Sequence, residues 1–223
     1  MNILAFDTAL GACSVAVVED GRARAVRRVS QARGQAESLL PLILEALKDS
    51  GLAWSDLDLL AVTVGPGTFT GLRVGLAAAR GMSLAAKIPA VGVTTLEALA
   101  EGVPAGLRAR CAVLAAIDAR RGEVYAQAFD GALRPLKPPA LLDYKSAAAL
   151  PPVGPVALVG SGAYLLAAHL APREVVPDAG PADPDPLAIA AVAARRGIPA
   201  PGAPAPAPLY LRAPDARLPE PRR

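Results

Sequence analysis

Asp7 and Asp118 each follow an apolar run and precede a glycine, Gly11 or Gly122, by four positions. A carboxylate at a strand end beside a glycine turn can hold a divalent cation through water or orient an attacking hydroxyl. The glycines let backbone N–H groups face an anion such as phosphate. For either aspartate alone, closing its own turn by accepting backbone N–H groups is the commoner role. The repetition argues for a site inherited twice. A second pattern also recurs. Ala61–Val64 runs into Gly65-Pro66-Gly67, and Val156–Val159 runs into Gly160-Ser161-Gly162. Gly65 and Gly67 stand where a glycine-rich loop feeding a helix would receive an anion. Pro66 has no N–H to give, however, and neither the Walker nor the dinucleotide spacing is met.

Other reactive groups are sparse. His169 is the single histidine, which excludes two-histidine metal sites. Cys13 and Cys111 lie in strand-like stretches with no local histidine or basic helix start, so buried free thiols of a reducing compartment are expected. Arg120 and Arg121 follow Asp118 and can meet phosphates or solvent. The pattern offers no catalytic residue and no metal site.

With 223 residues, 53 % hydrophobic and 19 % charged, the chain can bury one large core or two small ones. Of the net charge of +3, residues 212–223 carry +2, from Arg212, Arg217, Arg222 and Arg223 against Asp215 and Glu220. The body is nearly neutral and lacks the basic stripe of a dedicated nucleic-acid binder. The longest uncharged stretch, 146–172, is broken by four prolines, so no membrane helix is expected. The N-terminus has no basic segment before its apolar run, and a cytoplasmic location is expected.

Those residues need elements to hold them. Residues 2–6, 12–18 and 22–29 read as antiparallel strands, with Asp20-Gly21 as a hairpin turn. Gln35–Ser50 reads as a helix with Ala36, Leu39, Leu40, Ile43, Leu44 and Leu47 at helical spacing, stopped by Gly51. Asp58–Val64 reads as a strand. Thr68–Lys87 reads as a helix capped by Thr68. Its small residues Gly71, Gly75, Ala79 and Ser83 admit either the chain's own sheet or a partner helix. The second half repeats the plan. Strands are expected at Cys111–Ile117, Glu123–Phe129, Leu133–Leu136 and Val156–Val159. Helices are expected at Tyr144–Leu150, Ala163–Leu170 and Pro186–Arg196. Residues 198–208 form a polyproline-like tether, after which Leu209–Leu211 can dock on the body. The expected units are an N-terminal lobe (1–104), a smaller C-terminal lobe (105–197), and a tether with tail (198–223). Three antiparallel strands, a helix, a strand and a helix, done twice, is an α/β plan of two RNase-H-like lobes. It is the plan of the actin, sugar-kinase and Hsp70-like (ASKHA) superfamily.

Asn2–Thr8 with Ala12–Ala16, and above all the run Gly65-Pro66-Gly67-Thr68-Phe69-Thr70-Gly71-Leu72-Arg73-Val74-Gly75, resemble the bacterial TsaB family, also called YeaZ. Leu39-Leu40-Pro41, Thr95–Ala100, Asp118–Tyr125 and Pro208–Arg212 match it as well. The likeness covers almost the whole chain and is weakest at 132–205. Gln35 departs from it, standing where many members have histidine. The resemblance implies a non-catalytic dimerisation and activating subunit in the formation of N6-threonylcarbamoyladenosine beside the anticodon of tRNA. It implies a TsaD-like catalytic paralogue and a TsaE-like ATPase as partners, a homodimer when alone, and only indirect contact with tRNA. It implies no cofactor for this chain alone, with ATP or ADP and Mg²⁺ confined to the interface of the complex. The implied interface is Leu39, Leu40, Ile43, Leu72, Gly71, Gly75, Ala79 and Ser83. Asp7, Gly11, Asp118, Gly122, Gly65 and Gly67 then become degenerate phosphate-turn positions. The competing readings are a small ATP-dependent phosphotransferase with Asp7 or Asp118 as base, and an interaction module outside tRNA modification.

Overall fold

Apolar runs such as Leu4–Phe6 and Leu59–Val62 have no polar face, so they need cover on both sides. The fold supplies it by stacking five layers. The structure, a computed structural model, describes residues 1–30 and 34–212. The first sheet holds β1 (Asn2–Asp7), β2 (Ala12–Glu19), β3 (Arg22–Ser30), β4 (Leu59–Gly65) and β5 (Ala90–Thr94), in the order β3-β2-β1-β4-β5. The second holds β6 (Ala112–Arg120), β7 (Glu123–Phe129), β8 (Ala140–Asp143), β9 (Val156–Val159) and β10 (Val175–Val176), in the order β10-β9-β6-β7-β8. In each sheet the first three strands pair antiparallel and the last two join parallel. Strands β6 to β10 thus repeat β1 to β5 in order and sense. Each sheet is an RNase-H-like unit, and the pair makes the ASKHA fold.

Helices α1 (Gln35–Ser50) and α2 (Phe69–Ala86) cover one face of the first sheet. Leu39, Ile43 and Leu76 there meet Leu4, Phe6 and Val62. Ile3, Ala5 and Ala61 point the other way, onto Ile189 and Ala193 of α7 (Pro186–Arg196). Between the sheets lies α3 (Thr95–Glu101), whose Leu96 and Leu99 pack on Val113, Ala115 and Ile117. After α4 (Ala105–Arg108), the short α5 (Tyr144–Ala148) and α6 (Ala163–Leu166) cover the far face of the second sheet through Ala147 and Leu166.

Three expectations change. Leu133–Leu136 forms no strand. The Asp130 carboxylate accepts the Ala132 and Arg134 N–H groups at 3.0 and 2.9 Å and curls the chain into a turn. The third strand of the lobe comes later, at β8, where Glu123–Ala126 pairs with Ala140–Asp143. The stretch 163–170 is α6 followed by a 3-10 turn at Ala167–Leu170. Residues 105–197 do not pack as one unit either, because α7 returns to the first sheet. The expected tail charges Arg217, Arg222 and Arg223 lie outside the described residues.

Candidate functional site

The first turn is closed from within. Asp7 is fully buried, and its Oδ1 accepts the Ala9 N–H at 3.0 Å and the Thr63 hydroxyl at 2.5 Å. Its Oδ2 has no hydrogen-bond partner among the described residues. Burial pushes the carboxyl up to about 6, against the pull of those two bonds, and the nearby Asp183 adds to the rise. The turn-closing role weighed for Asp7 is the geometry observed. Asp118 does the same in the second lobe. Its Oδ1 accepts the Arg120 N–H at 2.8 Å, and its Oδ2 pairs with the Arg120 guanidinium at 3.0 Å.

The lobes enclose a cleft of about 660 Å³, lined by Gly11, Gly67, Thr68, Asp118, Arg120 and Asp183 among others. Gly11, Gly67 and Asp118 are thus brought together. Asp7 is sealed beneath them, and Gly65 and Gly122 stand off the cleft wall. The Gly11 N–H, the group best placed for a phosphate, donates instead to Asp183 Oδ1 at 3.1 Å. Asp183 Oδ2 in turn pairs with Arg28 at 2.9 Å. A phosphate chain entering here would meet the Asp183 carboxylate, so these residues do not fit a polyphosphate.

The glycine-rich run after β4 serves packing. Thr68 caps α2 by accepting the Gly71 N–H at 3.2 Å, and the Thr68 N–H donates to Ala9 O at 2.8 Å. The Thr8 hydroxyl donates to Gly71 O at 2.7 Å. A Cβ at Gly67 would lie 2.6 Å from Ala9 O, one at Gly75 2.7 Å from Thr8 Oγ1, and one at Gly71 would overlap Thr8 O. The glycines therefore let α2 close on the first turn of its own chain. Gln35 adds a contact there, its side-chain amide donating to Leu10 O at 3.4 Å.

This corrects most of the implied interface. Gly71, Gly75, Ala79, Leu72, Leu39 and Ile43 are all buried in the chain's own packing. Only Leu40, 51 % exposed, and the half-buried Ser83 reach the surface. The exposed apolar residues beside them are Leu44 at 58 % and Leu84 at 84 %. A signal for Leu44 existed. The apolar residues of α1 span a wider arc than one sheet needs, and Leu40 and Leu44 lie one turn apart on its outer edge.

The segment after α7 straps the lobes together. Leu209 N–H donates to Val64 O at 2.7 Å on the first lobe. Three residues on, Arg212 donates to Ala119 O at 2.8 Å and Glu123 Oε2 at 2.7 Å on the second. The Tyr210 ring lies 5.7 Å from that of Phe69, and Arg73 sits 3.7 Å over the Phe69 ring.

Cys13 and Cys111 are buried free thiols, and burial pushes the Cys13 thiol up to about 11, which keeps it protonated. His169 lies beside the Tyr144 ring, 5.7 Å between centres. Among the described residues no group of three or more His, Cys, Asp or Glu is placed to hold a metal ion. Nor is any helix there long and apolar enough to cross a membrane.

The class these features define is an ASKHA-fold protein whose glycine turns facing the cleft are closed by its own aspartates. Known proteins narrow that class. Residues 29–153 match the family model described as "TsaD: tRNA N6-adenosine threonylcarbamoyltransferase". The Escherichia coli "tRNA threonylcarbamoyladenosine biosynthesis protein TsaB" is 45 % identical over 56 % of this chain and 53 % of that protein. The match thus spans about half the length of that curated relative. An uncharacterized protein of Mycobacterium tuberculosis is 38 % identical over 97 % of this chain and 94 % of its own length. The solved structure of YeaZ from Pseudomonas aeruginosa superposes with a TM-score of 0.78 at 31 % identity, covering 94 % of this chain and 99 % of that one. The chain belongs to the TsaB (YeaZ) family.

Proposed function

We propose that this chain is a subunit of the machinery that forms N6-threonylcarbamoyladenosine in tRNA, and that it works by gripping a TsaD-like catalytic paralogue while doing no chemistry itself. The observation that carries this reading is the apolar edge α1 turns to solvent, where Leu40 and Leu44, one helical turn apart, are both more than half exposed. Large apolar side chains left on one face of a folded protein mark a contact surface. The occupant in this reading is a TsaD-like paralogue, which the chain's own match to the transferase family model supports by placing the two in one line of descent. A second copy of this chain takes the same surface when that partner is missing. A TsaE-like ATPase joins the pair. tRNA reaches this chain only through the complex, and ATP or ADP with Mg²⁺ belongs at the interface of the complex, in the cytoplasm.

The phosphotransferase reading needs a base within reach of its proton. Asp7 lies buried on Thr63 and Ala9, and Asp118 is engaged by Arg120. That geometry favours the subunit reading.

Reconstitution tests the proposal. The transferase, the ATPase, tRNA and threonylcarbamoyl-adenylate are expected to give modified tRNA at full rate only with this chain added, and the chain alone is expected to give none. Turnover by the lone chain, or equal rates without it, would overturn the reading. The surface has its own test. Leu44→Asp is expected to weaken association with the TsaD-like partner at least tenfold by calorimetry, since a central apolar contact is typically worth roughly 1–2 kcal/mol or more. Its melting temperature should match the parent's. Unchanged affinity would move the interface elsewhere.

A further inference from the structure

We propose that Asp183 is a built-in anion that occupies the first phosphate turn and sets the cleft against phosphorylated ligands. The inference rests on the subunit reading and deepens it, by naming the residue that keeps the cleft out of phosphate chemistry.

The geometry begins with the local sequence. Asp183 lies in Pro181-Ala182-Asp183-Pro184-Asp185-Pro186. A residue before proline is held extended, and each proline fixes its own φ, so this segment has little freedom. Pro184 is buried, and Asp185 caps α7 by accepting the Leu187 N–H at 2.8 Å. The carboxylate of Asp183 is thereby carried to the cleft from a loop 172 positions away in sequence from Gly11. One oxygen accepts the Gly11 N–H at 3.1 Å and the other pairs with Arg28 at 2.9 Å. A backbone N–H with a cation beside it is what a bound phosphate oxygen would seek. Both are taken.

Each contact alone is weak, because Asp183 and Arg28 are partly exposed. The strength of the arrangement lies in tethering. A group held in place competes with a free ligand at an effective concentration in the millimolar range or above. Charge adds to it, since a phosphate approaching Gly11 meets the Asp183 carboxylate with the Asp7 carboxyl close behind. Uncharged parts of a ligand meet no such bar from Thr68, Tyr125 and Tyr164 elsewhere in the cleft.

Removing the carboxylate should therefore create an anion site that the parent lacks. The test titrates the isolated full chain and its Asp183→Ala variant with inorganic pyrophosphate at low salt, by calorimetry and by the Gly11 amide resonance. The variant is expected to bind at least tenfold more tightly than the parent, with the Gly11 amide shifting on addition. Asp183→Asn keeps an acceptor and is expected to gain less. Adding Arg28→Ala to Asp183→Ala should remove the gain. Equal affinity of parent and variant overturns the proposal, as does a gain that leaves the Gly11 amide unmoved. The titration uses this chain by itself, so its outcome is independent of reconstituted tRNA modification.

Discussion

Gly71→Ala is expected to lower the stability of this protein by about 3 kcal/mol or more in urea unfolding, at or above the top of the usual cost of overpacking a tight site. The added methyl would overlap the Thr8 carbonyl oxygen and lie 2.6 Å from Thr68 Oγ1. The first is backbone and cannot swing away. It belongs to the turn leaving β1, whose Asp7 is itself fixed by Thr63 and Ala9. The second is the cap of α2, bonded to Gly71 itself. Relief requires moving α2 off the turn, which opens the packing of Leu72 and Leu76 as well. For a chain of this length the loss corresponds to a fall in melting temperature of about 6–12 °C. Gly81→Ala is the matched control. It lies on the same helix, and a Cβ there would meet nothing within 4 Å. Alanine is the better helix former by up to about 1 kcal/mol, so that variant should be as stable as the parent or more so. Equal gains at both positions would mean that helix propensity, and not the contact with Thr8, governs α2.

That contrast also shows what a sequence displays and what it hides. The duplicated lobes were legible because each strand order is written in local signals: an apolar run, an aspartate, a glycine turn, a second apolar run. The stripe of Gly71, Gly75 and Ala79 was legible as a close approach, but its direction was not. Small residues admit a neighbouring backbone without saying whose it is, and here it is the turn at Thr8 and Ala9. The missed third strand of the second lobe follows from turn chemistry. Asp130 draws in two N–H groups downstream and delays re-entry into the sheet until Ala140. The bounds of α7 are legible along the chain but its layer is not, since its apolar face fits either sheet and only the fold brings it to Ile3 and Ala5. The contact of Asp183 with Gly11 joins residues 172 positions apart through a proline loop, and no spacing rule reports such a pair.

The second large effect concerns pH. Asp7→Asn is expected to stabilise the protein above pH 6 and to leave it unchanged near pH 4. Burial raises the Asp7 carboxyl from its ordinary 3.8 to about 6, so the folded chain holds this proton more tightly than the unfolded chain does. Below 3.8 both states carry the proton and the group has no net effect on the pH dependence. Between 3.8 and 6 the unfolded state releases it first, and stability falls as pH rises. Above 6 the fold carries a buried carboxylate, and the loss is complete. At about 1.4 kcal/mol per pH unit the full effect approaches 3 kcal/mol. Asparagine keeps an acceptor for Ala9 and Thr63 and sheds the charge. Its amide also puts a donor where Oδ2 now lacks a partner, with Ser14, another unpartnered side chain among the described residues, directly opposite in the β1–β2 ladder. Asp20, Asp130 and Asp143 are held below the usual carboxylate range by their hydrogen bonds, and their effect has the opposite sign. They are common to both proteins and cancel in the difference. Urea unfolding of parent and variant from pH 4 to pH 8 should give two curves that meet at the acid end and diverge through pH 6. Parallel curves would show that Asp7 titrates as an ordinary surface carboxylate, and that the first turn is open to water.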